Sequence, residues 1–374
     1  MLNYLALINL HKNPYAWGFV LFWLGMMFAC MVLWIVESRE GKPNKILESS
    51  LFWLFGLVML AFVTFRPLGI ARDDLGYLEI YKTICPALTC GQWLQGARDI
   101  GWYSLVGLLK SFVPDPRSML WVSAAALLIK LAIIYSLTRR PLIVLLFYTG
   151  LYYQLQDLTA WRVSLALAFF MSAIWSVVRT RHYWNVWILL VCGLFHKQAF
   201  VAPLILTGVF LRRHRFMFII LCLVSTGLLV LGLYPPTHLM AYYIGGGVKE
   251  IMFNQGLDAY IGAKLAGAYS GWRQAPIVVY PQILLTLWLL IKAQPDNEKL
   301  DAMLTGCMVM GCLFLWVFAS LPDAQVRFFE FFMVPTVLLV GVRRLSGFEF
   351  AGVVFVSGLV VAKYNIVHQL IMQT

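Results

Sequence analysis

Ten ionisable residues stand at the edges of the apolar segments of this 374-residue chain. Such residues are uncommon here, because 61% of the chain is hydrophobic and only 12% is charged. An ionisable group close to a bilayer is costly unless it has a partner in the protein or in a substrate, so we expect these residues to be functional. They are Arg66, Arg72, Asp73, Asp74, Asp157, Arg162, His196, Lys197, Asp323 and Arg327.

The arginines of this set indicate an anionic ligand. A guanidinium group is a planar fork of donors that matches phosphate oxygens. Several arginines around one cavity would suit a diphosphate, which carries more than one negative charge. Structural alternatives exist for each residue: Arg162 could snorkel or pair with Asp157, and Arg327 could do the same near Asp323. His196 alone would more often be a buried, hydrogen-bonded histidine.

The composition predicts an all-α, polytopic membrane protein that forms one integral membrane domain over residues 1–374. Mean hydropathy is +0.79, whereas a water-facing surface would need far more charge. Apolar runs of roughly 14 to 22 residues recur from Trp17 to Gln369, close to the length that spans hydrocarbon. A β-barrel would alternate apolar and polar residues. Basic cytoplasmic loops explain the net charge of +12, so nucleic acid is not an expected partner.

Basic clusters orient these segments, because loops rich in lysine and arginine face the cytoplasm. Placing all the clusters on that side gives about 12 crossings, with both termini outside the cytoplasm. The predicted spans are 16–36, 50–65, 118–137, 141–156, 159–178, 183–197, 198–211, 216–234, 276–292, 302–320, 326–342 and 349–370. Residues 183–211 decide the orientation downstream. Two short helices that turn near His196 are preferred over one tilted helix, because the flanking clusters then share one side.

Two long outer segments, about 66–117 and 235–275, each contain a stretch with helical amphipathicity. Such helices lie in the membrane interface or pack on the transmembrane bundle, and both possibilities remain open. Asp73 and Asp74 could cap a helix that begins near Leu75. The apolar stripes are Trp102, Leu105, Leu109 and Phe112 in the first segment, and Ile251, Leu257, Ile261 and Leu265 in the second.

The seven cysteines fall into two groups. Five lie within predicted spans and are expected in the core. Cys85 and Cys90 lie in the first outer segment, where a short-range disulfide is favoured if that segment is periplasmic. Metal binding by this pair is the weaker alternative, because no histidine or second cysteine pair is near in sequence.

Short motifs in this order resemble those of EpsG-like membrane proteins, which are similar to Wzy-type polymerases of bacterial surface polysaccharides. The resemblance extends from about residue 50 to 340, with departures at Val163, Gln198 and Phe331. The segments that carry it are Arg66-Pro-Leu-Gly69 with Asp73, Asp74 and Tyr77; Trp161-Arg162 with Ala166, Leu167 and Ala168; Phe195-His196-Lys197; and Val326-Arg327-Phe328.

The resemblance implies a GT-C-like glycosyltransferase in the bacterial inner membrane, with its active site facing the periplasm. It would join undecaprenyl-diphosphate-linked oligosaccharides, and its other expected partners are membrane lipid and a chain-length co-polymerase. No cofactor or metal is expected, because arginines could replace a metal ion. The expected diphosphate ligands are Arg66, Arg162 and Arg327, with Arg72 and Lys197 as secondary candidates. The expected base is Asp73 or Asp74, and then His196.

Three alternatives stay open at this stage. An O-antigen ligase or a polyprenyl-phosphate-dependent glycosyltransferase would use similar arginines and differ in its product. A transporter of lipid-linked sugars would show repeat symmetry and a polar path through the bilayer. A structural membrane subunit would explain the spans but would give the arginines no role.

Overall fold

The computed structural model describes most of the chain as helices. The described residues are 14–40, 44–69, 73–84, 86, 99–180, 182, 185, 187–230, 278–293, 297–318, 322–342 and 344–363. Within these ranges there is no strand. The predicted all-α class is therefore confirmed for the described part of the chain.

The helices follow the predicted spans closely. They are α1 (Pro14–Glu40), α2 (Lys45–Phe65), α3 (Asp74–Thr83), α4 (Ile100–Phe112), α5 (Ser118–Leu137), α6 (Pro141–Tyr148) with a π-helix (Thr149–Asp157), α7 (Trp161–Thr180), α8 (Ile188–Phe195), a 3-10 helix (Lys197–Leu206), α9 (Thr207–Arg213), α10 (Arg215–Val230), α11 (Val279–Ala293), α12 (Glu298–Val317), α13 (Pro322–Met333), a second 3-10 helix (Val334–Leu338), α14 (Leu339–Val342) and α15 (Gly347–Ala362).

Among the described residues, six helices are long and apolar enough to cross a membrane. These six segments are Gly18–Arg39, Lys45–Phe65, Ser118–Leu137, Trp161–Thr180, Glu298–Val317 and Gln325–Val342. Three shorter apolar helices accompany them, at Phe216–Val230, Val279–Lys292 and Gly347–Ala362. The chain is therefore a polytopic helical membrane protein, while the number of twelve crossings and the GT-C-like arrangement stay predictions.

The described residues cluster into two compact units. One unit takes the residues up to 203, 288–300 and those from 337 on, and the other takes 204–287 and 301–336. The single domain expected over 1–374 stays a prediction. The first unit contains α1 to α8 and α15, and it carries most of the candidate site residues.

Helix α2 illustrates how sequence sets an element in the first unit. Its N-terminus is capped by Asn44, whose Oδ1 accepts the N–H of Leu47 at 3.0 Å. Its buried face repeats every three or four residues, at Phe52, Gly56, Met59 and Val63. The helix ends because the next residue precedes a proline and takes the extended backbone that proline imposes.

The π-helix at the end of α6 is the least regular element of the first unit. It holds nine residues, and its last bond runs from the N–H of Leu158 to the carbonyl of Tyr153, five residues back. Gly150 lies where a Cβ atom would be 2.6 Å from Cβ of Ser357 on α15. Within a lipid bilayer the hydrophobic effect does not drive helices together, so the van der Waals contact that this close approach allows stabilises the packing of the π-helix on α15.

The first outer segment contains the predicted helix, which is α4. Trp102 of the predicted stripe is fully buried, whereas Phe112 is 70% exposed. Lys110 fastens the helix to the end of α3 by donating from Nζ to the carbonyls of Tyr81 and Ile84 at 2.8 and 2.7 Å. The helix therefore packs on its neighbours along the face of Trp102 and Val106, while Phe112 points away from that face. The second predicted stripe and the Cys85–Cys90 pair lie outside the described residues.

In the described part of the second unit, close helix packing and an ion pair connect the helices. A Cβ atom at Gly208 of α9 would collide with the backbone of Gly306 on α12, so both positions need glycine. Nε of Arg212 donates to Oδ2 of Asp301 at 3.0 Å. A set of stacked rings joins α12, the residue that follows it, and α13: Phe314, Phe318, Phe328 and Phe332.

Candidate functional site

The turn between α2 and α3 is fixed by a bidentate ion pair. Nη1 and Nη2 of Arg66 donate to Oδ2 and Oδ1 of Asp74 at 2.6 and 2.7 Å. Gly69 adopts φ 97°, a conformation that favours glycine, and its N–H donates to Asp74 Oδ2 at 2.9 Å. The two charged side chains are 2% and 0% exposed. Because the fork and the carboxylate match each other, this pair orders the chain that carries Asp73.

Aromatic rings form the wall beside this turn. Tyr77 stacks on Trp161 with ring centroids 4.5 Å apart, and Trp102 lies 5.4 Å from the Tyr77 ring. Two guanidinium groups face these rings: Arg66 lies 5.7 Å from the Trp161 centroid and Arg162 lies 5.8 Å from the Tyr77 centroid. Cation–π contacts of this kind stabilise the positive charges inside a partly apolar site.

Arg162 occupies the more open part of the site. Its Nη1 donates to Oδ2 of Asp99, the residue that precedes α4, and the two form an ion pair. The Arg162 side chain is 28% exposed, whereas that of Asp99 is 3% exposed. Nε of Arg162 is buried and has no hydrogen-bond partner in the described part of the chain. Arg162 is therefore paired but not saturated, and it does not use Asp157 as the sequence suggested.

Asp157 belongs instead to a closed polar network inside the first unit. Its carboxylate accepts from Nζ of Lys130, from the Tyr148 hydroxyl and, at 2.6 Å, from the Ser164 hydroxyl. Lys130 and Asp157 are both fully buried. Sequence reasoning missed Lys130, although it is the one charged residue in the 20-residue apolar segment of α5. That isolated charge was the available signal.

The two clusters meet at the end of the π-helix. The carbonyl of Asp157 accepts the hydroxyl of Ser123 at 2.7 Å, and the next carbonyl, of Leu158, accepts Nη2 of Arg66 at 2.7 Å. The turn that leads into α7 is thus fixed by two hydrogen bonds, one from Ser123 on α5 and one from Arg66 at the end of α2. Arg162 begins the helix that follows, so both clusters position it.

Asp73 stands just before α3 and differs from its buried neighbour. It is half-buried and makes no side-chain capping bond to the helix, which begins at Asp74, one residue before the predicted start. Tyr77 lies one helical turn further on, and its hydroxyl accepts the N–H of Arg162 at 3.5 Å. Burial raises the pKa of Tyr77, and nearby Arg162 partly offsets that rise.

His196 ends α8 at the predicted break in the helix. Its backbone is extended, and the 3-10 helix starts at the next residue. A Cβ atom at Gly101 would lie 3.0 Å from the backbone of Leu194, so the end of α8 packs on the start of α4. His196 is buried at 8% exposure. This packing brings it to the end of the unit that also carries Asp99.

The remaining predicted residues are placed as follows. Arg327 lies in the second unit and is exposed. Arg72 lies outside the described residues, as do the side chains of Lys197 and Asp323. The described ranges contain no group of three or more His, Cys, Asp or Glu side chains that could hold a metal ion. The structure thus gathers Arg66, Asp73, Asp74 and Arg162 around one aromatic wall.

This arrangement puts a partly exposed arginine, a group suited to an anion, in the same site as a half-buried aspartate. The family model of the EpsG family matches residues 50–361, a range that includes every site residue described above. No curated protein and no solved structure matches the chain.

Proposed function

Because the chain belongs to the EpsG family, the family of Wzy-type polysaccharide polymerases, we propose that it joins undecaprenyl-diphosphate-linked repeat units into a polysaccharide. A hydroxyl oxygen of the incoming unit forms a bond to C1 of the growing glycan. The bond between C1 and the diphosphate oxygen breaks, and its electron pair leaves with undecaprenyl diphosphate. The hydroxyl proton passes to a base. The reaction therefore needs an anion site and a proton acceptor close together.

The observation that carries this proposal is the state of Arg162. Its guanidinium is partly exposed and pairs with the carboxylate of Asp99, and among the described residues its Nε has no hydrogen-bond partner. A departing diphosphate can therefore compete with Asp99 for the fork, so that the arginine is held in place before the anion develops. Donors that are positioned in advance are the usual source of transition-state stabilisation.

Asp73 is the better candidate for the base of the two adjacent aspartates. The carboxylate of Asp74 accepts three hydrogen bonds from Arg66 and Gly69, so both of its oxygens are already engaged in holding the turn. Asp73 has no capping bond and is half-buried beside the aromatic wall. Arg66 then orders the turn that presents Asp73. Its direct binding of the diphosphate, predicted from the sequence, stays a prediction.

The location of the reaction completes the proposal. The basic clusters predicted to be cytoplasmic lie at the opposite end of the helices, which supports a site at the periplasmic face of the inner membrane. Several predictions from the sequence belong to this proposal. They are a GT-C-like arrangement without a metal, Arg327 as a diphosphate ligand with Arg72 and Lys197 as secondary candidates, His196 as an alternative base, and a chain-length co-polymerase.

Purified protein in detergent, incubated with undecaprenyl-diphosphate-linked repeat units, tests it directly. Products on a gel should form a ladder spaced by one repeat unit. An unchanged single band, with substrate shown to bind, would contradict a polymerase and favour a ligase or a transporter. Adding a second acceptor glycan to the same reaction would separate those two outcomes.

A further inference from the structure

A second charged cluster lies at the other end of the first unit, far from the site. It joins the last turns of α1, the first turn of α2 and the residues just before α6 and α15. From Glu48 to Arg66 along α2 is about 27 Å at 1.5 Å per residue, close to the thickness of bilayer hydrocarbon. The cluster therefore stands at the opposite membrane edge, the one predicted to be cytoplasmic.

Two acids and two arginines surround the mouth of a pocket there. Arg140 forms an ion pair with Glu37, and its Nη1 lies 3.7 Å from Oε2 of Glu48. Nε of Arg344 lies 3.9 Å from Oε1 of Glu37, and the Arg344 side chain is 47% exposed. The formal charges balance, so the mouth suits a ligand that carries both signs better than a simple anion.

One oxygen at this mouth has no partner. Oε2 of Glu37 is buried and accepts no hydrogen bond within the described residues, although Glu37 as a whole is only 5% exposed. A carboxylate oxygen can only accept, so the group that satisfies it must carry an N–H or O–H. A ligand that brings such a donor would remove the cost of this buried, unpaired oxygen.

The deeper part of the pocket is apolar. Its walls include Cys30, Leu33, Trp34, Ile143 and Phe350, and the cavity between them has a volume of about 40 Å³. Cys30 lies seven residues before the mouth on α1, which is about 10 Å further into the membrane. Charges at the mouth and apolar side chains below it match the order of groups along a membrane lipid.

We propose that this pocket binds a phospholipid whose headgroup carries a primary ammonium. The ammonium donates to Oε2 of Glu37, the phosphate faces Arg344, and the start of an acyl chain enters between Leu33 and Phe350. A phospholipid with a glycerol headgroup would bring a negative phosphate close to Glu37 and Glu48 but no ammonium to offset their charge. A choline headgroup has no N–H to give. This site is separate from the polymerase site and does not depend on the proposed reaction.

The test compares two lipids that differ only at the amine. Purified full-length protein in detergent is mixed with dioleoyl-phosphatidylethanolamine or dioleoyl-phosphatidylcholine, and bound lipid is counted by native mass spectrometry. The ethanolamine lipid should bind about tenfold more tightly, since a charge-assisted hydrogen bond to a buried acceptor is lost with choline. Equal binding of the two lipids would overturn the proposal.

Variants then locate the preference. Glu37→Gln should abolish it, and Arg344→Gln should weaken binding of the ethanolamine lipid by several-fold. Arg39→Gln is the control for Arg344→Gln, because it also removes a positive charge, from an exposed position near Glu37 at the end of α1. It should change neither the preference for the ethanolamine lipid nor the affinity for it. A preference that survives Glu37→Gln, or a loss of equal size in Arg39→Gln, would contradict the pocket. If Glu37→Gln fails to fold, the comparison of lipids and Arg344→Gln still decide.

Discussion

Two ion pairs of the first unit, Lys130–Asp157 and Arg162–Asp99, differ in how far they are buried and in how many of their polar atoms have partners. Lys130 and Asp157 are fully buried, and Asp157 is saturated by lysine and hydroxyl donors. Arg162 pairs with Asp99, its side chain is 28% exposed, and its Nε has no partner in the part of the chain that the structure describes. The closed pair holds the α6–α7 turn. In the proposed function, the open pair exchanges its partner for a ligand. Burial and saturation would thus separate a structural ion pair from one that binds substrate.

The closed pair should give the largest effect. Lys130→Met would leave the buried carboxylate of Asp157 without its cation, and breaking a buried pair in this way costs about 3–5 kcal/mol of unfolding free energy. Thermal unfolding in detergent measures this loss. A Lys130→Met, Asp157→Leu double variant removes both charges and should recover much of it. Equal stabilities of the single variant and the natural protein would show that the pair is not structural.

The open pair should affect activity rather than stability. Arg162→Ala should abolish chain-length ladders in cells, a loss of at least about 100-fold, while protein abundance stays near normal. Arg162→Lys keeps the positive charge but loses the planar fork of donors, so its activity should lie between that of Arg162→Ala and that of the natural protein. Ladders retained in Arg162→Ala would remove this arginine from the site and would end the contrast with Lys130.

Asp99 sharpens the comparison, because it competes with the ligand. Asp99→Asn should slow turnover about tenfold, since Arg162 is no longer held in advance. The same change should tighten binding of undecaprenyl diphosphate, since the carboxylate no longer competes. Steady-state kinetics and product inhibition provide the two values. Asp115→Asn, at an exposed position after α4, is the matched control. If turnover and the affinity for undecaprenyl diphosphate both fell, Asp99 would not compete with the diphosphate for Arg162.

Tyr77 should give the smallest effect. Its raised pKa keeps the phenol protonated at neutral pH, so it serves as a neutral wall for Arg162 and not as a base. Tyr77→Phe should reduce activity by only about twofold to fivefold, because the ring is retained. The pH–rate profile below about pH 10, the ordinary tyrosine pKa, should keep its shape. A basic limb that disappears in Tyr77→Phe would assign the proton transfer to this residue.

The sequence predicted the parts of the site that lie at helix boundaries. Arg66, Asp74 and Arg162 each stand where an apolar run begins or ends, and hydropathy locates those positions well. The break at His196 was found for the same reason. Family membership was also visible in the sequence, because the motifs lie in order over most of the chain.

The partners could not be read in the same way. Asp99 is 63 residues from Arg162, and Lys130 is 27 residues from Asp157, so neither contact follows from local spacing. The π-helix was also missed. A run of apolar residues does not distinguish hydrogen bonds that span four residues from those that span five, and the choice is made by packing against other helices.

The π-helix has a consequence for how this protein has diverged. Bonds that reach one residue further back place more residues in each turn, so 149–157 accommodates a length that an α-helix would not. A relative with one residue fewer in this segment would rotate everything after it by about 100°. In such a relative, the aspartate at position 157 would no longer face the lysine at position 130, so one of the two would have to change. Related chains that have a deletion within 149–157 should therefore carry a residue other than lysine at position 130.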